Sequence, residues 1–138
     1  VDLDSLIETK EKRAINEIFA QDGEPYFRKI EKEIVKEVSK KDAQVVACGG
    51  GAVLDKQNLD NLRENGTLIY LKASADVIFE RTKGYKHRPL LDVPQPRKKI
   101  EELLKFREPF YTQADYIINT SNLKVKEVVG EVLKIIKK

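Results

Sequence analysis

Three consecutive glycines interrupt an otherwise apolar stretch at residues 45–54, and this interruption constrains the fold more than any other feature of the chain. The residues before the glycines are typical of a buried strand. Glycine is costly to order, so three in a row indicate backbone that turns sharply or approaches a bound molecule with its N–H groups. Residue types alone leave open whether the run binds a ligand or only joins a strand to a helix.

Strand and helix patterns alternate along the chain. In order, the predicted elements are a helix at 24–40 striped by Phe27, Ile30, Ile34 and Val38, a strand at 44–48, a helix at 55–65 closed by left-handed Gly66, a buried strand at 67–71, a helix at 75–82 capped by Ser74, a helix at 98–111, a strand at 116–119, and a last helix striped by Val125, Val128, Val129, Val132, Leu133 and Ile136. Such alternation is typical of an α/β fold with a parallel sheet covered by helices. Ligands of these folds lie beyond the carboxyl ends of the strands, where Gly49–Gly51 would lie.

Length, charge and cysteine usage narrow the class of protein. A chain of 138 residues is near the commonest size for a single domain. Its 26 basic and 23 acidic residues give a net charge of +3, which is too balanced for a nucleic-acid-binding stripe. No apolar run approaches the roughly 18 residues that a membrane helix needs. A single cysteine, Cys48, cannot form an internal disulfide, which favours the reducing cytoplasm.

Five motifs, in this order and spacing, resemble the shikimate kinases over essentially the whole chain. They are Asp2-Leu3-Asp4, Phe27-Arg28-Lys29-Ile30-Glu31, Gly49-Gly50-Gly51-Ala52-Val53, Arg88-Pro89-Leu90-Leu91 and Arg107-Glu108-Pro109-Phe110-Tyr111. Together they are far more specific than any one of them. The stretches Ile18-Phe19-Ala20 and Asp22-Gly23-Glu24 between the motifs fit the same pattern.

The resemblance implies an α/β fold of the nucleoside-monophosphate-kinase type, a P-loop kinase fold with helices on both faces of a parallel sheet. It implies a kinase that transfers the γ-phosphoryl group of ATP, with Mg²⁺, to the 3-hydroxyl of shikimate in chorismate and aromatic amino-acid biosynthesis. Residues 1–138 would form one domain, with a substrate-binding region at about 2–54 and a lid at about 83–97. The expected protein is cytoplasmic, binds neither membrane nor nucleic acid, and is a monomer when full length.

By resemblance, Arg28 and Arg107 clamp the shikimate carboxylate. Arginine presents planar paired donors to a carboxylate, a geometry that lysine cannot copy. Glu31, one turn from Arg28, would hold that guanidinium in place. Phe19 and Phe27 resemble the apolar wall of the substrate site. Without the resemblance, Arg28 and Glu31 read as an ordinary solvated pair and Phe27 as core.

By resemblance, Asp4 accepts hydrogen bonds from the shikimate hydroxyls and orients or deprotonates the attacking one. Asp2 resembles the family's acid near Mg²⁺, which it would hold through water. The amides of Gly50 and Gly51 resemble hydrogen-bond donors to the substrate. By the same resemblance, Gly49, Gly50 and Gly51 all belong to the substrate-binding site. Taken alone, Asp2 and Asp4 equally fit a polar chain terminus with a helix cap.

The nucleotide side rests on weaker matches. Arg88 resembles a lid arginine that closes over ATP, where a late-arriving cation stabilises charge on the transferring group and excludes water; taken alone, it fits an exposed loop. Arg81 resembles a residue facing the adenine, and the stretch Asn119–Lys124 resembles the loop beside the base, with Lys124 as a nucleotide contact. Cys48 and His87 read as a buried free thiol and a lid surface histidine, with no relay or metal role.

The pattern Gly-x-x-x-x-Gly-Lys-Ser/Thr, which cradles phosphates, is absent from these 138 residues. In the family this loop lies between the first strand and first helix, upstream of Asp2. The chain therefore resembles a shikimate kinase without that unit, and we expect it to be inactive by itself. Two alternatives stay open, a non-catalytic shikimate-binding or regulatory relative and a kinase for another small hydroxy acid.

Overall fold

The structure, a computed structural model, describes residues 1–83, 91 and 93–137. The chain forms two compact units. The first contains residues 1–66 with residues 91 and 93, and the second contains residues 67–83 and 94–137.

The first unit begins with two helices, α1 (Leu3–Glu11) and α2 (Ile15–Val38). Asp2 caps α1, because its Oδ1 accepts hydrogen bonds from the backbone N–H groups of Asp4 at 2.9 Å and Ser5 at 3.3 Å. The helix ends at Lys12, whose left-handed backbone (φ 56°) stops it. The cap interpretation of Asp2 is therefore confirmed.

Helix α2 contains a sharp kink at Gly23. This residue has φ 82° and ψ 172°, a conformation that is almost restricted to glycine. Pro25 follows directly and favours a new helical start, since proline has no N–H to donate and its φ suits a first turn. The sequence predicted only the part after the kink, because the apolar spacing restarts there. The helical turns at residues 15–22 were missed.

The predicted apolar stripe of α2 is confirmed. Phe27, Ile30, Ile34 and Val38 are all buried, each at most 6% exposed. They form a core with α1, whose Leu3 and Ile7 are fully buried, and with α3 (Lys56–Asn65), through Leu59 and Leu62. Burial of one apolar face by each of three helices supplies the main stabilising term of this unit.

The predicted buried strand at residues 44–48 is wrong. Only Ala47 pairs, in an isolated parallel bridge with Asp2, and Val45 is 76% exposed. Ala47 N–H donates to the carbonyl of Val1 at 2.8 Å, and Leu3 N–H donates to the carbonyl of Ala47 at 3.0 Å. A ladder needs consecutive hydrogen-bonded pairs, and this run has a single bridge.

The glycine run leads into a short 3₁₀ turn, Ala52–Leu54, and then into α3. Asp55 caps α3 through its Oδ1, which accepts from the N–H groups of Gln57 at 2.8 Å and Asn58 at 3.2 Å. The prediction of a left-handed Gly66 is wrong, since its φ of −142° and ψ of 169° are extended. Glycine is needed there for another reason, because a Cβ would lie 2.9 Å from the carbonyl oxygen of Leu62.

The second unit has a parallel pair of strands and three helices. Strand β1 (Ile69–Lys72) pairs in parallel with β2 (Tyr116–Asn119), in a register that joins Ile69 to Tyr116 and Lys72 to Asn119. The helices are α4 (Ala75–Thr82), α5 (Pro96–Tyr111) and α6 (Val125–Ile136). Ser74 caps α4 by accepting from the N–H of Val77 at 3.3 Å. The predicted helices, the Ser74 cap and β2 are confirmed, and the chain is α/β with parallel strands.

Burial in the second unit differs from the prediction. Strand β1 begins two residues later than predicted. Its Ile69 and Tyr70 are half-buried, whereas Leu71 is 51% exposed. The predicted stripe of α6 forms, yet no residue described on that helix is buried, and Val125 is 81% exposed. Helical periodicity thus predicted the element without predicting its burial.

Candidate functional site

The glycine run packs directly against Arg28 of α2. A Cβ built on Gly51 would lie 2.6 Å from Cζ and Nη1 of the Arg28 guanidinium, which is closer than real Cβ contacts come. The guanidinium thus lies against the α-carbon of Gly51, and only glycine leaves room for it. This contact gives the glycine run a physical requirement beyond turning the chain.

Glu31 fixes the orientation of Arg28. Nη1 of Arg28 donates to Oε1 and Oε2 of Glu31 at 2.9 and 3.1 Å. The Glu31 side chain is 2% exposed whereas that of Arg28 is 29% exposed, so the carboxylate is buried and the cation reaches outward. A buried carboxylate needs its cation, which favours a single arrangement of the pair. The solvated-pair alternative for these residues is thereby excluded.

One aromatic ring lies beside the same arginine, and a second ring contacts the first. Cζ of Arg28 lies 5.1 Å from the centroid of the Phe27 ring, within reach of a cation–π interaction. Phe27 in turn contacts Phe19, with ring centroids 4.9 Å apart. Since Phe19 precedes the kink of α2 and Phe27 follows it, the kink brings together two rings that eight positions of straight helix would separate.

The carboxylate of Asp4 lies at the other end of the glycine run. Its Oδ1 would be 3.4 Å from a Cβ on Gly49, an ordinary contact distance. A carboxylate at Gly49 and a guanidinium at Gly51 therefore flank one short stretch of backbone. The Arg28 guanidinium can bind a carboxylate, the Asp4 carboxylate can accept hydrogen bonds from hydroxyls, and both lie beside backbone N–H groups. This combination suits a small hydroxy acid.

Cys48 precedes the run, and its predicted burial is wrong because the residue is exposed. The extended stretch around it lacks the paired neighbours that would cover it. Nearby residues nevertheless desolvate its thiol and raise the pKa of that thiol to about 11. The negative charges of Glu31, Asp2 and Asp4 contribute. The thiol therefore stays protonated at neutral pH, as expected for a residue without a nucleophilic role.

In the second unit, Arg107 carries an unsatisfied donor. Its Nε is buried and has no hydrogen-bond partner among the described residues, and its Nη1 donates to the hydroxyl of Tyr111 at a long 3.5 Å. Buried donors are nearly always paired in native proteins, so an unpaired guanidinium nitrogen points to a ligand group.

A network missed by sequence reasoning adjoins that arginine through Tyr111. The Tyr70 hydroxyl donates to Glu108 at 2.9 Å, and the Tyr70 ring contacts the ring of Tyr111 at 4.9 Å. Burial, together with the hydrogen bond to Glu108, raises the pKa of Tyr70. The signal available in the sequence was Glu108, which adjoins Arg107 in its motif, but nothing there identified Tyr70 as its partner.

Arg81 is held by the loop after β2. Its Nη1 donates to Oγ1 of Thr120 at 3.0 Å and its Nη2 to the carbonyl of Thr120 at 2.8 Å. Thr120 is 2% exposed and lies in the stretch Asn119–Lys124 that the resemblance assigns to the loop beside the base, although it was not named individually there. An open depression of about 380 Å³ lies here, lined by Asp76, Val77, Glu80, Arg81 and Ser121.

Of the remaining predicted residues, Lys124 is among those that the structure describes, whereas Arg88 and His87 are not. Lys124 is exposed at the start of α6, and its N–H donates to Oε1 of Glu127 at 3.0 Å. Arg88, His87 and most of the predicted lid at 83–97 lie outside the described residues. Within the described ranges, no group of three His, Cys, Asp or Glu side chains could hold a metal ion. No helix in those ranges is long and apolar enough to cross a membrane.

Comparison with known proteins shows the family of this chain. The model of the shikimate kinase family matches residues 1–137. A shikimate kinase of Caldanaerobacter subterraneus is 46% identical over 134 residues, which is 97% of this chain and 78% of that relative. A solved shikimate kinase of Acinetobacter baumannii, in complex with shikimate, is 35% identical with a TM-score of 0.94, over 98% of this chain and 76% of that one. A solved shikimate kinase of Aquifex aeolicus is 33% identical with a TM-score of 0.82, over 99% and 79% of the respective chains.

The motifs predicted this outcome, and the family model, the relatives and the shared fold confirm it. The chain belongs to the shikimate kinase family, whose members phosphorylate shikimate with ATP.

Proposed function

We propose that the residues around the glycine run bind shikimate and present its 3-hydroxyl to the γ-phosphoryl group of ATP. One observation carries the proposal. The Arg28 guanidinium, held by the buried Glu31, lies against Gly51, while the Asp4 carboxylate lies against Gly49. A cation for a carboxylate and an acceptor for hydroxyls thus adjoin the same backbone.

Arg28 is the proposed main partner of the shikimate carboxylate. Both carboxylate oxygens of Glu31 contact its Nη1, and this pairing holds the guanidinium plane before substrate arrives. Phe27 and Phe19 would form the apolar wall beside it. Arg107 is proposed as a second carboxylate donor, supported by its buried Nε without a partner among the described residues.

Asp4 is the proposed catalytic carboxylate. It would accept the hydrogen bond of the 3-hydroxyl and take its proton as the hydroxyl oxygen attacks the γ-phosphorus, while the bond from that phosphorus to the ADP oxygen breaks. The N–H groups of Gly50 and Gly51 would donate to the substrate. Positioning supplies most of the catalysis in such a reaction, since little covalent chemistry is asked of the protein.

The nucleotide contacts form a further part of the proposal. Arg81, tethered to Thr120, lines the depression proposed for the base, with Lys124 nearby along the chain. Arg88 is proposed as the lid arginine at the transferring phosphoryl group. Mg²⁺ bound with ATP neutralises phosphate charge. Asp2 would hold it through water. An oxygen donor suits this ion, and an indirect contact suits a carboxylate whose Oδ1 already accepts two backbone hydrogen bonds.

The setting of the reaction is proposed as well. We infer a cytoplasmic enzyme that acts as a monomer when full length and binds no nucleic acid. The near balance of 26 basic and 23 acidic residues supports the last point. A cytoplasmic location agrees with the single cysteine.

Ligand binding tests the proposal most directly. We expect isothermal titration calorimetry to detect binding of shikimate by the chain, and weaker binding of gluconate, an open-chain hydroxy acid. In an Arg28→Lys variant, shikimate affinity should fall by about tenfold or more, because lysine keeps the charge but loses the paired donors.

Arg63→Lys is the matched control, since Arg63 is an exposed residue of α3 in the same unit, and its variant should bind as the original chain does. Equal losses in the two variants would indicate a general charge effect and contradict the assignment of Arg28. Tighter binding of gluconate than of shikimate would contradict the assignment of shikimate as the substrate.

A further inference from the structure

A half-buried ionic network surrounds the kink of α2, away from the glycine run. Its centre is Arg13, in the connection between α1 and α2, whose side chain is 17% exposed. The guanidinium Nη2 pairs with Oε1 of Glu11 at 3.0 Å and with Oδ2 of Asp22 at 2.5 Å, while Nη1 donates to Oε1 of Gln21 at 2.8 Å. One side chain thus satisfies three acceptors.

The network spans the kink. Gln21 and Asp22 lie just before Gly23, and Tyr26 lies just after it. Cζ of Arg13 lies 5.5 Å from the centroid of the Tyr26 ring, and the Tyr26 hydroxyl donates to Oε1 of Glu11 at 2.7 Å. Arg13 and Glu11 therefore contact both halves of α2 and join them to the end of α1.

The same kink sets the geometry of the aromatic pair. Phe19 belongs to the half before Gly23, and Phe27 to the half after it, followed at once by Arg28. The rings touch at a centroid distance of 4.9 Å. A change in the angle at Gly23 would move one ring relative to the other and move Arg28 with the second. A glycine in that backbone conformation resists such a change weakly by itself.

We propose that Arg13 is a positioning residue for the substrate site: it braces the Gly23 kink and so fixes Phe19 against Phe27 and Arg28. The inference rests on the proposed function, because those three side chains are the proposed wall and carboxylate donor. Arg13 itself touches none of them in the contacts described above. Its action is through the angle of the helix.

The chemistry of the network requires arginine. Three acceptors are arranged around one planar fork, and the flat guanidinium face also meets the Tyr26 ring. A lysine ammonium offers a point charge that can satisfy one or two of these acceptors but cannot match the fork. Replacement by lysine should therefore brace the kink partly, and replacement by glutamine hardly at all.

The experiment compares Arg13→Gln, Arg13→Lys and Lys10→Gln in the full chain. Lys10 forms an exposed ion pair with Glu33 in the same unit, at 3.0 Å, and makes no hydrogen bond with Arg13, so its variant is the control. Calorimetric titration with shikimate should show an affinity loss of about tenfold in Arg13→Gln, a smaller loss in Arg13→Lys, and no change in Lys10→Gln.

A double-mutant cycle separates positioning from general destabilisation. In a Phe19→Ala background the pair that the brace aligns no longer exists, so adding Arg13→Gln should cost far less affinity than it does in the original chain. Full additivity of the two losses would show that Arg13 does not act through the aromatic wall, and would overturn the proposal. Unchanged affinity in Arg13→Gln alone would overturn it too.

A second readout needs no ligand. Nuclear Overhauser contacts between the Phe19 and Phe27 rings should weaken in Arg13→Gln and persist in Lys10→Gln. Loss of those contacts in a chain that does not bind shikimate would support the brace while contradicting the proposed function. Contacts that persist unchanged in Arg13→Gln would contradict the brace whatever the ligand does. If Arg13→Gln fails to fold, Arg13→Lys gives both readouts.

Discussion

The first compact unit holds most of the buried apolar side chains, whereas the second buries few and leaves most of its apolar side chains half-buried. Of the fifteen buried apolar side chains among the described residues, twelve lie in residues 1–66 and three in the second unit. Most exposed large apolar residues lie in the second unit, among them Phe106, Ile117 and four residues of α6, namely Val125, Val129, Leu133 and Ile136. The proposed acceptor site is thus built on a packed core.

The difference shows two ways of fixing a functional side chain. In the first unit, Arg28 and Glu31 stand on a helix whose apolar side chains are buried, and that packing adds to the hydrogen bonds that join the two residues. In the second, polar contacts fix Arg81 through Thr120 and hold Tyr70 against Glu108. We expect substitutions in the first unit to have the larger effects, on binding and on stability.

The largest expected effect is that of Gly51→Ala on shikimate affinity. The added methyl group would meet the Arg28 guanidinium at 2.6 Å and displace it, with loss of a paired, charge-assisted contact. We expect affinity to fall by about 100-fold in a calorimetric titration. Gly130→Ala on α6 is the control, since nothing lies within 4 Å of a Cβ there. Equal affinity in the two variants would show that the contact between Gly51 and Arg28 does not affect shikimate binding.

A matched pair of leucines tests the contrast in burial. Leu3 is fully buried in the first unit, whereas Leu133 on α6 is 43% exposed. We expect Leu3→Ala to lower the free energy of unfolding by about 3 kcal/mol and Leu133→Ala by less than about 1 kcal/mol. Urea unfolding followed by circular dichroism measures both. A loss at Leu133 as large as that at Leu3 would mean that α6 is buried in solution and would contradict the difference in burial between the two units.

The sequence predicted best those elements that local signals determine. Helix α4 needed only its cap at Ser74, and the face of α2 needed only the spacing from Phe27 to Val38. The run at residues 44–48 carries an equally clear signal, yet it forms one bridge, because a strand depends on partners that lie far away in sequence. Gly66 fits a helix stop, but its backbone angle depends on the direction the chain takes afterwards.

The site divides in the same way. The pair of Arg28 and Glu31 was predictable from one helical turn, and the resemblance of the motifs placed it in a substrate site. The contacts of Arg13 with Gln21 and Asp22 follow no helical or strand period, since they cross a kink that only the backbone of Gly23 reveals. Tyr70 and Glu108 are 38 positions apart, and no spacing rule joins them.

A Tyr70→Phe variant tests the polar contacts of the second unit, and its expected effect on stability is of moderate size. The variant loses the hydrogen bond to Glu108, and we expect the free energy of unfolding to fall by about 1 kcal/mol at pH 7. Because the folded pKa of Tyr70 is raised, this group stabilises fully below its unfolded pKa of about 10 and loses that contribution as pH rises through the folded pKa. Urea unfolding at pH 7 to 11 should show the gap between the two proteins narrowing above pH 10. A gap that widens in that range would contradict the raised pKa.

The smallest expected effect, and the one of opposite sign, is that of Gly130→Ala on stability. Gly130 lies inside α6, where a Cβ meets nothing within 4 Å and helical backbone suits alanine better than glycine. We expect the free energy of unfolding to rise by about 0.5 kcal/mol, with the gain in helix propensity and in unfolded-state entropy undiminished by any clash. Thermal unfolding followed at 222 nm measures it against the original chain. A destabilised variant would mean that a neighbour packs against Gly130 in solution, and the apolar side chains of α6 would then be more buried than in the structure.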